Sequence, residues 1–225
     1  MNLKASLRNR LQPNLSSPAE GVGKIAEQLR RQDLYRQARV VFATPAALLH
    51  QIRMNCLLDN KQLVMPSPGL KDGFFRIKPH TVPFRQLDMA MTERGLHRFG
   101  RRLEPGEKPA IDLLLTGAFA VDREGVRLGS GTGYFDLSCA ILSANGWLAD
   151  VPHILAVVDP RQQVMELLPR EPWDVAMTGL VTVEGCYLFE DQDRKEYPIF
   201  WQQLSVGRIK RITPLWQLRN KSPDS

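Results

Sequence analysis

Arg127-Leu128-Gly129-Ser130-Gly131-Thr132-Gly133-Tyr134-Phe135-Asp136 is a glycine loop with an apolar run, able to form a helix, directly behind it. Glycines at alternate positions free the backbone to take positive φ and let a ligand approach without meeting a Cβ. A glycine-rich turn that opens a helix aims unpaired backbone N–H groups at whatever lies above it, with the positive end of the helix dipole behind them. Phosphate suits such a place. No Gly-Lys-Ser/Thr follows, so this is not a Walker A loop, and the third glycine comes one residue early for a dinucleotide fingerprint.

Outward from the loop, the helix is expected from about Tyr134 to Asn145, with Asn145-Gly146 as its stop. Ile111 to Leu115 reads as the preceding strand, joined to the loop through a turn at Asp122-Arg123-Glu124-Gly125. Upstream, Leu3 to Leu11 reads as a short basic helix with Leu3, Leu7 and Leu11 on one face. Ser17-Pro18-Ala19-Glu20 matches a capping box before a helix striped by Val22, Ile25, Ala26 and Leu29, expected to end near Asp33 to Gln37. Ala38 to Thr44 is a buried-strand candidate, Ala46 to Leu58 a helix, and Gln62 to Met65 and Gly73 to Ile77 two more strands. Strand, helix, strand implies a parallel sheet with covering helices, hence an α/β fold.

Lys78 to Pro109 is rich in turn signals and charge, with one helix expected from Arg85 to Gly95. Strands follow at His153 to Val158, within Trp173 to Val183, and at Cys186 to Phe189. Asp191 to Glu196 reads as a charged turn and Ile209 to Asn220 as a final short element.

At 225 residues, 43% hydrophobic and 24% charged, the chain can bury a full core and is not disordered overall. A net charge of +6 and a pI near 9.4 favour anionic company, whether nucleotide phosphate, a carboxylate-rich ligand or nucleic acid. Cys56, Cys139 and Cys186 are widely spaced and outside any metal pattern, which suits reduced thiols in a cytoplasmic setting. The start lacks a signal-peptide core, and no run approaches the roughly 18 apolar residues of a membrane helix, so no membrane association is expected. His50, His80, His97 and His153 show no ligand spacing.

Read whole, Asp112-Leu-Leu-Leu-Thr-Gly-Ala-Phe-Ala-Val-Asp122-Arg-Glu-Gly125-Val-Arg127-Leu128-Gly129-Ser-Gly131-Thr-Gly133-Tyr134-Phe135-Asp136 resembles the signature of the 5-formyltetrahydrofolate cyclo-ligase family. Lys4 and Arg8 resemble its opening basic pair, and Leu168-Pro169, Trp173-Asp174 and Thr182-Val183-Glu184-Gly185 its closing pattern. The resemblance implies a three-layer α/β/α sandwich around a mainly parallel sheet that binds ATP and magnesium. The family phosphorylates the formyl oxygen of 5-formyltetrahydrofolate and closes the ring to 5,10-methenyltetrahydrofolate. On this reading residues 1–225 form one domain, 1–12 are a basic helix over the nucleotide site, and 186–225 are a divergent C-terminal extension.

Carried onto this chain, the resemblance implies that the N–H groups around Gly129, Ser130, Gly131, Thr132 and Gly133 cradle phosphate while Lys4 and Arg8 fold over it. Arg127 reaches the phosphates or pairs with Asp122. Asp136 holds magnesium or caps the helix, and Tyr134 and Phe135 line the nucleotide or pterin pocket or belong to the core. Arg127 and Asp136 are the catalytic candidates. Asp122 fixes the turn.

Several positions depart from the family pattern. Leu137 stands where an Arg is usual, Trp173 where a His is usual, and Gly117-Ala118 where Pro-Gly is usual. Thr44-Pro45-Ala46-Ala47 lacks the acidic residue that holds the folate ring. The resemblance still implies a small-molecule partner, a reduced folate, bound by a monomer or homodimer. The alternatives are a paralogue without folate activity, related to thiamine metabolism, and a non-catalytic basic protein binding nucleotide or nucleic acid.

Overall fold

The computed structural model describes residues 3–11, 21–189 and 196–221. The capping box at Ser17 to Glu20 and nearly all of the charged turn at Asp191 to Glu196 lie outside them. The eight-stranded sheet is built from β1 (Val40–Ala43), β2 (Gln62–Pro66), β3 (Phe74–Ile77), β4 (Arg101–Arg102), β5 (Ile111–Gly117), β8 (Leu148–Val157), β9 (Gly179–Val181) and β10 (Cys186–Leu188). Their order is β10-β9-β8-β5-β1-β2-β3-β4. The run from β9 to β2 is parallel, and antiparallel strands finish both edges. A separate hairpin, β6 (Ala120–Val121) with β7 (Arg127–Leu128), leads into the glycine loop.

Side chains alternate across the sheet, so neighbouring strand residues enter different cores. Val41, Ala43, Leu113 and Leu115 face one core with Ile25, Leu29, Tyr35, Ile52, Cys56 and Leu96. These come from α2 (Val22–Arg30), α3 (Asp33–Gln37), α4 (His50–Leu58) and α6 (Glu93–Phe99). Val40, Phe42, Leu114, Ile154 and Ala156 face the other, with Phe135, Leu137 and Ile141 of α7 (Tyr134–Ala144). Ile209 of α8 (Val206–Arg211) and Leu215 of α9 (Thr213–Lys221) complete that second face. Burial on both sides explains why the central strands read as continuous apolar runs. The result is the expected α/β/α sandwich.

Some elements differ from the sequence expectation. The second helix breaks at Gln32, whose backbone is extended, into α2 and α3. The break lets Tyr35 bury and donate its hydroxyl to Asp59 at 2.8 Å. The helix expected over Arg85 to Gly95 is two helices, α5 (Leu87–Ala90) and α6, because Thr92 caps the second by accepting from the Gly95 N–H at 3.2 Å. β8 begins five residues earlier than His153, at Leu148, with a register irregularity between Ile111 and Leu113. The final short element is the pair α8 and α9, parted at Ile212, whose backbone is extended. In α1 (Leu3–Leu11), Leu7 and Leu11 pack against Ala120, Val126, Leu128 and Leu168, whereas Leu3 is exposed. No described helix is long and apolar enough to cross a membrane.

Candidate active site

In open α/β sheets the natural crevice lies beyond the carboxyl ends of the strands, where the chain order reverses. Here that point falls between β1 and β5, since β1 leads outward to β2 on one side and pairs with β5 on the other. A cleft of about 900 Å³ opens there. Its walls are Thr44 to Leu48 after β1, Pro66 to Leu70 after β2, Thr116 to Phe119 at the end of β5, and the glycine loop. Every residue singled out for chemistry in the sequence lines it: Lys4, Arg8, Arg127, Gly129 through Tyr134, Phe135 and Asp136.

The loop adopts the backbone its glycines permit, with φ of +90° at Gly131 and +66° at Gly133, the residue that precedes α7. A Cβ on Gly129 would stand 2.3 Å from Arg127 Nη1, and one on Gly131 3.0 Å from Arg8 Cζ. Only glycine lets these cations lie so close. Arg8 Nε donates to Gly129 O at 2.7 Å, and Arg208 Nη2 of α8 donates to Thr132 O at 2.6 Å. The hydroxyls of Ser130 and Thr132 bond to each other at 3.0 Å. Among the described residues, the N–H groups of Gly131, Thr132 and Gly133 donate to no protein acceptor.

Behind the loop, Arg127 Nη2 donates to Asp136 Oδ2 at 2.9 Å, with both side chains largely buried. Arg127 therefore pairs with Asp136 and not, as one reading of the sequence had it, with Asp122. Its guanidinium also lies 4.8 Å over the Phe135 ring, while its Nε is buried without a partner among the described residues. Asp136 Oδ1 accepts from the Val175 N–H at 3.1 Å. Burial, and secondarily the Asp136 charge, pushes the Cys139 thiol well up, so it is no nucleophile here. Phe135 lines the cleft but is mainly core, 6.3 Å from Phe42, whereas Tyr134 stays partly exposed beneath Arg208.

The outlying acids hold backbone. Asp122 Oδ1 accepts from Glu124 N and Val126 N, and Oδ2 from Leu168 N, each at 2.9 Å. Asp112 accepts from Arg39 N and Val40 N and so fixes the start of β1. Lys4 forms an ion pair with Asp174, which also accepts from the Glu171 N–H. Trp173 edges onto Phe200 at 6.0 Å and lines the cleft beside them.

Three contributors escaped the sequence reading. Arg208 stands in the basic run Arg208 to Arg211, where nothing in the sequence ties one cation to the distant loop. Asp174 was legible only as part of a pattern, without its partner Lys4. Arg53, buried on α4, donates to Thr44 O at 2.8 Å and Ala46 O at 2.9 Å, so it shapes the wall where no acid stands. Burial lowers its pKa to about 10. The Thr44 hydroxyl is buried there without a partner among the described residues.

These residues fit a nucleotide: unpaired N–H groups at a helix start and cations on either side are what a phosphate chain requires. Magnesium fits less closely. Both Asp136 oxygens are engaged, and no group of three or more His, Cys, Asp or Glu among the described residues could hold a metal. An ion carried on nucleotide phosphates asks for only one or two carboxylates, and Asp136 would have to release Arg127 to serve.

Comparison with known proteins gives the family and the fold. The model of the 5-formyltetrahydrofolate cyclo-ligase family matches residues 1–183. A methenyltetrahydrofolate synthase domain-containing protein of Danio rerio is 26% identical over 226 residues, covering 97% of this chain and 56% of that one. A 5-formyltetrahydrofolate cyclo-ligase of Mycolicibacterium smegmatis is 38% identical over 71 residues, 32% of this chain and 33% of that one. The chain spans about half the length of the domain-containing relatives it matches. The NMR structure of Aquifex aeolicus 5,10-methenyltetrahydrofolate synthetase superposes with a TM-score of 0.58 at 22% identity, covering 86% of this chain and 96% of that one, and so shares the fold.

Proposed function

The chain belongs to the 5-formyltetrahydrofolate cyclo-ligase family, and on that premise we propose that it closes 5-formyltetrahydrofolate to 5,10-methenyltetrahydrofolate at the expense of ATP. The observation that carries the reading is one continuous cleft joining a phosphate-ready glycine loop to the carboxyl ends of β1 and β5. ATP supplies the phosphoryl group that turns the formyl oxygen into a leaving group, with magnesium carried on its phosphates. The chain's own task is to position and neutralise. The N–H groups of Gly131, Thr132 and Gly133 bind phosphate oxygens, with the dipole of α7 behind them. Arg8 and Lys4, brought by α1, cover the loop from above. Arg127, oriented by Asp136, holds positive charge beside the reacting oxygens, where it counts most as charge develops. The walls at Pro45 to Leu48 and Pro66 to Leu70 offer a largely apolar surface to the ring being closed.

Purified protein with ATP, magnesium and 5-formyltetrahydrofolate should develop the absorbance of the methenyl product. Arg127→Ala should lower kcat/KM by about 100-fold or more. Absence of turnover at high enzyme concentration would overturn the assignment.

A second reading has its own observation: the wall at Thr44 to Leu48 offers no carboxylate to a polar ring. A site built to hydrogen-bond a ring loses much of its affinity when the partner group is missing. On this reading the chain is a nucleotide-binding relative acting on a different acceptor. ATP would then raise the melting temperature while reduced folates leave it unchanged.

A further inference from the structure

We propose that Arg208, carried by α8 outside the segment that the family model matches, is a positioning residue of the glycine loop. It sets the aim of the Gly133 N–H at the phosphate. The inference rests on the nucleotide reading of the site.

Arg208 leaves its own helix to reach the loop. Its Nη2 donates to Thr132 O at 2.6 Å, and its guanidinium lies 5.1 Å over the Tyr134 ring. A Cβ on Gly133 would stand 3.8 Å from that same Nη2. A peptide unit is planar, with its C=O and N–H pointing opposite ways. A bond that fixes the Thr132 carbonyl therefore fixes the direction of the Gly133 N–H, which takes no protein acceptor among the described residues. Gly133, at φ +66°, leaves that peptide otherwise free to turn on its own side. Arg8 does the same at the other end of the loop through Gly129 O, at 2.7 Å, and so governs the Ser130 N–H.

α8 is itself well anchored. Ser205 caps it by accepting from the Arg208 N–H at 3.2 Å, and Ile209 is buried in the core that α7 shares. Arg208 thus ties the carbonyl end of that peptide to the fold: a rigid helix supplies the donor and a glycine loop receives it.

The test measures binding of ATP and of adenosine by the full chain, as wild type, Arg208→Ala and Arg208→Lys, with Lys210→Ala on the exposed side of the same helix as a control. Arg208→Ala should weaken ATP binding about tenfold or more while adenosine binding and the melting temperature of the free protein hold. Arg208→Lys, which keeps a donor, should recover part of the loss, and Lys210→Ala should match wild type. In turnover, Arg208→Ala should raise KM for ATP more than it lowers kcat. Unchanged ATP affinity in Arg208→Ala overturns the inference alone. Equal losses of ATP and adenosine affinity, or a fall in melting temperature large enough to explain the loss, also overturn it. A wild type that binds no ATP overturns the nucleotide reading and this inference together.

Discussion

Asp122 supports the site without lining it. Its carboxylate is 2% exposed and takes three backbone N–H groups, so it ties the β6–β7 turn to Leu168 and sets where Arg127 emerges. Asp122→Ala would strand three donors, and stability should fall by about 3 kcal/mol. The check is a urea titration in which the midpoint drops while the slope holds. Glu107 gives the pH dependence. Burial alone would push its carboxyl up, but the Glu104 N–H, Arg76 at 2.8 Å and Arg101 at 2.7 Å hold it below the ordinary 4.5. A depressed acid contributes stability above its unfolded pKa and loses it as pH falls through the folded one. The stability gap between wild type and Glu107→Gln should therefore be full at neutral pH and close below about pH 4.5, read by thermal melts across pH. Among the sequence's candidates, the glycine loop was legible because its chemistry is local. The true partner of Arg127 was not, because Asp122 and Asp136 are both within reach in sequence and only packing chooses between them.

At the level of elements, helix breaks are what the sequence concealed. The apolar spacing from Arg85 to Gly95 runs on through Met91 and Thr92 without a proline or glycine at the break, so it reads as one helix. Tertiary packing overrides it. Gly95 sits so close to α5 that a Cβ would stand 1.9 Å from Met89 O. Gly95→Ala should raise intrinsic helix propensity yet destabilise the protein by about 3 kcal/mol through overpacking. A higher melting temperature in that variant would mean that the two helices can part at no cost. By contrast, β1, β2, β5 and α7 were readable to within a few residues, since strands buried on both faces need unbroken apolar runs and a helix preceded by a positive φ favours a glycine there.

At the scale of the molecule, the C-terminal segment is part of the core. Ile209, Ile212 and Leu215 are nearly inaccessible and share a core with Phe74, Phe135 and Trp147. Ending the chain after Leu204 removes all three from the face that α7 shares. Losing buried Leu or Ile side chains costs about 2–5 kcal/mol each, so the shortened protein should be insoluble or melt far below the full chain. The thiols report on the same packing. Burial lifts Cys56 to about 12 and Cys186 to about 11, and it lifts Cys139 well above the usual range. Cys186 is the only one of these not fully buried, so it should be the first to react with a thiol reagent in the native state, and the other two only on unfolding.

The sequence by itself determined the α/β class, the succession of its central strands and helices, and a glycine loop suited to phosphate. Each depends on residues adjacent in the chain: apolar runs, alternate glycines, an acid in a turn. Only the tertiary structure decided that Arg127 answers to Asp136, that Lys4 meets Asp174, and that Arg208 grips the loop from the far end of the chain. These pairings join residues up to 170 positions apart, and a long charged side chain gives no sign in sequence of which partner the fold will bring to it.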